Sequence, residues 1–281
     1  MSAIRIRTMT AADIPLGMRL KNAAGWNQTE VDWRRLLDLE PAGCFVAESD
    51  SLPAGTACVT AFGPVAWISM VLVDPEMRKR GIGTRLMQHA LEHLASRGIG
   101  TVRLDATAFG RPVYEKLGFA AEYDVARWEG TATGGCAAAG VVGAGPDDLP
   151  AIVALDEAAA GADRRRLIEH LYAEQPETLK VIASGGRVAG FSFVRTGTRA
   201  MQIGPVVAAD AASGQSLADA ALAACEGRPV FADVPVRNVA ATRWAESHGL
   251  SIQRQFTRMV LGQPVTDQPT TIWASFGPEK G

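Results

Sequence analysis

The feature that most narrows what this chain can fold into is an order of elements that occurs twice. On either side of the small-residue stretch Gly130-Thr-Ala-Thr-Gly-Gly-Cys-Ala-Ala-Ala-Gly140, hydrophobic periodicity reads helix, helix, three strands, long helix, strand, short helix, strand. In the first half, after a strand over Ile4–Arg7, the helices are expected over Ala11–Lys21 and Thr29–Leu37. Strands follow over Cys44–Glu48, Gly55–Ala61 and Val65–Val73, then a long helix from Gly81 to Ser96 with Leu86, Ala90 and Leu94 on one face. A strand over Thr101–Asp105, a short helix over Arg111–Lys116 and final strands near Phe119 and over Val125–Trp128 complete it. The second half repeats the order with helices over Pro150–Ala160 and Arg164–Tyr172 and strands over Lys180–Ser184, Val188–Arg195 and Ala200–Val207. A helix over Leu217–Cys225, a strand over Val230–Val234, a helix over Val239–Ser247 and a strand over Gln255–Leu261 close it. Alternation of this kind makes an α/β class fold with two domains, placed at 1–130 and 139–281.

Length and composition agree. The 281 residues suffice for two ordinary domains, and 47% hydrophobic with 21% charged residues is the balance of a globular chain. A formal charge of −2 supplies no overall field for nucleic acid or an anionic membrane, so neither is expected as a partner. Cys44, Cys58, Cys136 and Cys225 form no CxxC pair, which argues against a metal site or a disulfide framework and fits a reducing compartment. The first residues, MSAIRIRTMTAADIP, hold no apolar core of a secretory signal, so a cytoplasmic location is expected. The longest apolar run, Ala61–Val73, is interrupted by Gly63-Pro64 and reads as two strands around a tight turn.

The chemistry concentrates in Met70-Val-Leu-Val-Asp-Pro-Glu-Met-Arg-Lys-Arg-Gly-Ile-Gly-Thr-Arg-Leu86, where a buried strand turns through a basic glycine loop into the long helix. Gly81 and Gly83 leave the backbone unobstructed, so consecutive N–H groups can point at one anion. The helix N-terminus adds partial positive charge, and Arg78, Lys79, Arg80 and Arg85 add full charges. A glycine turn or a cationic run alone is most often a solvated surface; their conjunction between strand and helix suits a pyrophosphate. GxxxxGK[ST] and GxGxxG are both absent, which rejects a nucleotide-kinase loop and a dinucleotide fingerprint.

The run Arg78-x-x-Gly81-x-Gly83 after Val-Asp-Pro resembles the acetyl-CoA signature of the GNAT superfamily, (Q/R)xxGx(G/A), and Val113-Tyr-Glu-Lys-Leu-Gly-Phe119 is similar to its second signature, LYxxxGF. The phrases Ala24-Gly-Trp-Asn-Gln28, Trp67-Ile-Ser-Met-Val-Leu-Val-Asp-Pro75 and Leu104-Asp-Ala-Thr107 further resemble a bacterial subgroup with a degenerate second GNAT domain, the YitH-like acetyltransferases. The resemblance implies tandem domains, each a mixed, mostly antiparallel sheet flanked by helices, and acetyl-CoA as co-substrate without a metal. It implies that the backbone of Val71, Leu72 and Val73 holds the pantetheine arm, and that Arg78, Lys79, Arg80, Gly81, Ile82, Gly83 and Thr84 hold the pyrophosphate. Tyr114 would protonate the leaving CoA thiolate, its alternative being a core aromatic.

The general base is less legible. Superfamily members often carry a Glu on the strand before the loop, but Trp67, Ile68, Ser69 and Met70 offer none. Asp105, at the C-terminal end of its strand, is the first candidate, with a structural aspartate as the equal alternative. Thr107 stands where the second signature often has Asn. Trp26 and Asn27 lie on the loop that walls the acceptor pocket in this superfamily, or else they are a packed aromatic and a helix cap.

In the second half, Asn238-x-x-Ala241-x-x-Trp244-Ala-Glu-Ser-His-Gly249-Leu250 keeps the spacing of the second signature but has Ala245 at the tyrosine position. Its loop, Ala208-Ala-Asp-Ala-Ala-Ser-Gly-Gln-Ser-Leu217, has no Arg or Lys and carries Asp210, which would repel phosphate. The expectation is one cofactor site per chain, in the first half, with the second half shaping the acceptor pocket or forming a homodimer. The expected activity is N-acetyl transfer to a small-molecule primary amine. A non-catalytic acyl-CoA-binding regulator and a protein lysine acetyltransferase are the alternatives.

Overall fold

The computed structural model describes residues 4–135 and 138–281; Cys136 lies outside them. The first half runs β1 (Ile4–Thr8), α1 (Ile14–Ala23), α2 (Glu30–Leu39), β2 (Cys44–Ser49), β3 (Leu52–Phe62), β4 (Val65–Val73), α3 (Ile82–Ser96), β5 (Thr101–Thr107), α4 (Arg111–Lys116) and β6 (Ala120–Thr131). The second runs β7 (Val141–Gly143), α5 (Leu149–Ala160), α6 (Arg165–Glu174), β8 (Lys180–Ser184), β9 (Arg187–Arg195), β10 (Met201–Ala208), α7 (Ala211–Ala223), β11 (Pro229–Pro235), α8 (Val239–Ser247), β12 (Ser251–Leu261) and β13 (Ile272–Ala274). The duplicated order is therefore present as tandem α+β units.

All the strands join one sheet in the order β1-β2-β3-β4-β5-β12-β6-β11-β10-β9-β8-β7, with β13 beside β10. Pairing is antiparallel throughout except for β4 with β5 and β10 with β11. The two halves exchange their last strands. β12 of the second half lies against β5 of the first, β6 of the first lies against β11 of the second, and β6 and β12 pair with each other at the centre.

Alternation sorts the side chains into two layers. On one face of the first half, Ala57, Val59, Ala66 and Ile68 pack against Ile82, Leu86, Met87, Ala90 and Leu94 of α3. On the other, Cys58, Met70 and Leu72 pack beneath Trp33 and Leu36 of α2 and Leu20 of α1. The same arrangement recurs where α7 covers Ile203, Val206 and Ala208. α5 and α6 fill the opposite face and reach across to Trp67, Phe62 and Leu39 of the first half.

Each exchanged strand delivers one arginine to one aspartate of the other half. Arg258 on β12 lies opposite Asp105 on β5 in register, and bonds both carboxylate oxygens at 2.9 Å. Arg127 on β6 lies opposite Asp233 on β11 and does the same at 2.7 Å. The Arg258 and Asp105 side chains are 2% and 1% exposed, those of Arg127 and Asp233 5% and 1%. Burial works against both guanidinium charges, but the facing carboxylates outweigh it and raise both pKa values.

Some expectations need correction. The strands expected near Phe119 and over Val125–Trp128 are one continuous strand, β6, because its exchange between β11 and β12 gives it ladder partners along its length. α7 starts at Ala211 rather than Leu217: the Asp210 carboxylate caps it by accepting from Ser213 N at 2.9 Å, and Trp273 packs on Gly214. β7 and β13 were not expected at all, being short segments without a period.

Removing one carboxylate of a buried pair strands the other charge. Asp233→Asn is expected to lower unfolding free energy by about 3–5 kcal/mol, read as the midpoint shift in urea.

Candidate functional site

β4 and β5 run parallel, but their ladder is confined to Val65–Trp67 against Thr101–Arg103. Beyond it β5 keeps only its β12 neighbour on the other side, and the β5-facing backbone edge of Ile68–Val73 has no paired register. A bulge reinforces the divergence: Met70 adopts φ 52°, the β3–β4 register slips between Thr56 and Cys58, and Thr56 Oγ1 donates to the Met70 carbonyl at 2.8 Å. An extended ligand can add to that edge as a strand would. Val71 and Val73 are half-buried against the α3 layer and Leu72 is buried beneath α2, which fixes the edge from both sides.

The edge leads into the glycine loop. After a single turn at Pro75–Met77, capped by Asp74 accepting from Glu76 N at 3.1 Å, Lys79 takes φ 63° and Gly81 φ 80°. A Cβ at Gly81 would meet nothing within 4 Å, so glycine is required there by the dihedral and not by crowding. The first intrahelical bond of α3 runs from Arg85 N to Gly81 O at 3.0 Å, which leaves the amides of Ile82, Gly83 and Thr84 for an anion. Arg78 Nε donates to the Val73 carbonyl at 3.3 Å and Arg80 Nη2 to the Glu76 carbonyl at 3.2 Å, neutral partners that leave both charges available. Arg78, Lys79, Arg80 and Arg85 are all exposed around the loop. Phe109, 78% exposed on the turn after β5, lies with its ring centroid 6.0 Å from the Arg78 guanidinium.

Tyr114 sits on α4 and packs with Phe119 at 6.1 Å between ring centroids, against the α3 layer. Burial pushes its hydroxyl up to about 12, with no ion pair or hydrogen bond set against that cause. It therefore stays protonated at neutral pH and can donate.

The remaining expected residues take positions that join the two halves. Asp105, the expected base, has both oxygens engaged by Arg258, and its counterpart Asp233 carries the same pair in the half without a cationic loop. Both oxygens of the carboxylate are thus committed to the guanidinium fork, which holds the side chain away from any acceptor amine. Asn27 is 4% exposed and spends its amide on the second half: Oδ1 accepts from Arg199 N at 3.0 Å and Ala200 N at 3.1 Å, and Nδ2 donates to the Ala200 carbonyl at 3.0 Å. Trp26 is half-buried against the α1–α2 layer, and Thr107 Oγ1 accepts from Gly110 N at 3.2 Å, shaping the turn into α4.

Sequence reasoning missed a buried ionic cluster between the halves. Asp32 and Arg35 of α2 meet Glu174 of α6, Arg195 of β9 and Glu279: Arg35 Nη1 bonds Asp32 at 2.8 Å, Arg195 Nη1 bonds Asp32 at 3.2 Å, and Gln28 Nε2 donates to Glu279 at 2.9 Å. Burial opposes the Asp32 charge, but Arg195 and Arg35 overcome it and lower its pKa. Arg164, just before α6, is 4% exposed and paired with Asp156 at 2.7 Å. Charge alone gives no signal of burial in a sequence, which is why these escaped notice.

In the second half the equivalent opening is filled. β10 and β11 pair only over Met201–Ile203 and Val230–Ala232, and β13 enters the gap, pairing Val206 with Ala274 and Val207 with Ile272, while Ser275 N donates to the Asp233 carbonyl at 2.7 Å. Asp210 occupies the N-terminus of α7, where the first half presents free amides.

Comparison with known proteins matches these features. The model of the acetyltransferase (GNAT) family matches residues 18–119, and a second acetyltransferase (GNAT) domain model matches residues 152–274. Holothin acyltransferase of Pseudoalteromonas sp. is 25% identical over 262 residues, covering 92% of this chain and 88% of the relative. The uncharacterized N-acetyltransferase YitH of Bacillus subtilis is 25% identical over 202 residues and 68% of each chain. Mycothiol acetyltransferase of Nocardia farcinica is 34% identical over 129 residues, 39% of this chain and 43% of that one. A crystal structure from Pyrococcus horikoshii, provisionally classed as an acetyltransferase, superposes with a TM-score of 0.85 at 25% identity over 99% of this chain and 96% of that one.

If Asp105 holds the frame, Asp105→Asn should destabilise the fold as Asp233→Asn does, by about 3–5 kcal/mol in urea unfolding. Lost turnover at unchanged stability would instead mark it as the base.

Proposed function

The chain belongs to the GNAT superfamily of acetyltransferases, and on that footing we propose that it moves the acetyl group of acetyl-CoA to a primary amine of a small-molecule acceptor in a ternary complex. The observation that carries this reading is the coincidence, in the first half alone, of an unpaired strand edge, free amides at the start of α3 and a protonated Tyr114. In the second half β13 fills the edge, Asp210 caps the helix and Ala245 stands at the tyrosine position.

Acetyl-CoA supplies an activated thioester. The amides of Lys79 through Thr84, with Arg78, Lys79, Arg80 and Arg85 around them, hold its pyrophosphate, and the backbone of Val71 and Val73 pairs with the pantetheine arm. The acceptor amine adds directly to the thioester carbonyl, and a backbone N–H near Val71, next to the bulge at Met70, serves the developing oxyanion. Tyr114 donates its proton to the leaving thiolate, whose conjugate acid titrates at about 8.5, and the proton that the amine gives up restores the Tyr114 hydroxyl. Asp105 and Asn27 support the site through the second half and do not touch the amine.

Residues 139–281 serve as a degenerate domain that closes the acceptor side. α6 lies against α2, and Asn27 and Gln28 are anchored to the second half, so the acceptor space is walled on several sides. Such an enclosure suits a small amine better than a protein tail, and the relative that covers most of the chain is named for holothin.

Titrating acetyl-CoA calorimetrically should give one site per chain, lost in Gly81→Glu and retained in Tyr114→Phe. Tyr114→Phe should slow turnover by roughly 10²–10⁴-fold. Two sites per chain, or none, would sink the assignment of the first half as the working one; faster acetylation of lysine peptides than of any small amine would sink the acceptor class.

A further inference from the structure

After β13 the chain crosses from the second half onto the first. Arg195 Nη2 donates to the Phe276 carbonyl, Arg164 Nη1 to the Lys280 carbonyl at 3.0 Å, and Trp67 Nε1 of β4 to the Pro278 carbonyl at 3.1 Å. Gly281 lies so close on the Trp67 ring that a Cβ there would meet Cη2 at 2.5 Å. The segment thus rests on the α1–α2 face of the sheet, beside the diverging part of β4. Alternation also puts Cys58 and Thr60 of β3 and Ser69 of β4 on that face, with Cys58 opposite Ser69 and Thr60 opposite Trp67.

Lys280 is fully buried here, and its Nζ has no hydrogen-bond partner. Its Nζ lies 5.1 Å from the centroid of the Phe276 ring, and the adjoining Glu279 accepts from Gln28 Nε2 at 2.9 Å, which sets this turn against the α1–α2 loop. Ser69 Oγ, Thr60 Oγ1 and Trp33 Nε1, all buried on this face, are likewise without partners. Lys21 is the contrast: it is equally buried, yet its Nζ donates to Thr198 Oγ1 at 2.6 Å and to the Trp26 carbonyl at 3.4 Å.

We propose that Lys280 is a modification site, an internal acceptor whose Nζ takes the acetyl group from acetyl-CoA bound in the first half of the same chain. The proposal rests on the reading of that half as the catalytic one. The Nζ–C bond forms as the thioester C–S bond breaks, and the proton given up by the neutral amine ends on the CoA thiol, so no further reactant is needed. Burial, then repulsion from Arg35 and Arg195, outweigh the pull of Glu279 and Asp32 and lower Lys280 to about 8, which raises the neutral fraction above that of a free lysine. The product fits better than the reactant. A buried ammonium with the Phe276 ring at 5.1 Å but no hydrogen-bond acceptor is costly, whereas an acetamide is uncharged and offers an N–H and a C=O to the partnerless hydroxyls of Ser69 and Thr60.

The test is to incubate the full-length wild-type chain with isotopically labelled acetyl-CoA, follow the intact mass, and map the label by peptide mass spectrometry. One acetyl group on Lys280, at a first-order rate independent of protein concentration, is the expected result. The rate should rise between about pH 7 and about pH 9 as the amine is deprotonated, fall in Tyr114→Phe, and the label should be missing from Lys280→Met. Bound acetyl-CoA with Lys280 unlabelled, or equal labelling of Lys280 in Gly81→Glu, overturns the proposal while leaving the cofactor site in place. Calorimetry showing no acetyl-CoA bound would overturn both readings.

Discussion

Two buried arginine–aspartate pairs, Arg258 with Asp105 and Arg127 with Asp233, are the interactions on which the rest of the architecture depends. Each sits where a strand from one half lies against a strand of the other, so neither half completes its own sheet. A buried ion pair adds little net stability compared with apolar packing, because desolvation offsets the attraction. Its effect is on alternatives. A slip of one residue between β12 and β5, or between β6 and β11, would leave both charges buried and unpaired, so the pairs fix register and partner at the exchange.

That fixed centre explains how one duplicated plan supports two different outcomes. Both halves contain a parallel pair whose strands separate after a few residues, and in both the separation exposes a backbone edge beside the start of a long helix. In the first half the edge stays open and the helix amides face four cations. In the second, β13 takes the edge and Asp210 takes the amides. The chain itself thus occupies the place where a strand-like ligand would lie. β13 pairs with the backbone groups that, on the proposed function, a pantetheine arm meets in the first half.

How much of this was legible in the sequence follows from what kind of information each part uses. The element order, the basic glycine loop and Tyr114 are local patterns, written within one strand–turn–helix or one short helix, and they could be read directly. The exchange of β6 and β12 could not, since a strand's period says which face is buried but not which neighbour it has. Asp105 drew attention as a lone carboxylate at a strand end; that Arg258, far along the chain, would face it is a fact of register. Pocket wall and helix cap are equally open for Asn27 in the sequence for the same reason: its partners Arg199 and Ala200 come from the other half. Asp32, Arg35 and Arg195 look like ordinary surface charges in sequence, and only the packing of α2 against α6 and β9 buries them.

The same long-range packing bears on the acceptor. The second half is latched to the α1–α2 loop and residues 276–281 lie over Trp67, so the acceptor side of the proposed site is framed by both halves. On the proposed function, specificity resides in contacts between the halves rather than in the two signatures. Family resemblance, carried by those signatures, consequently identifies the reaction well and the acceptor poorly. A duplicated fold with one emptied and one filled cleft can keep its chemistry constant while the interface between the copies changes what is acetylated.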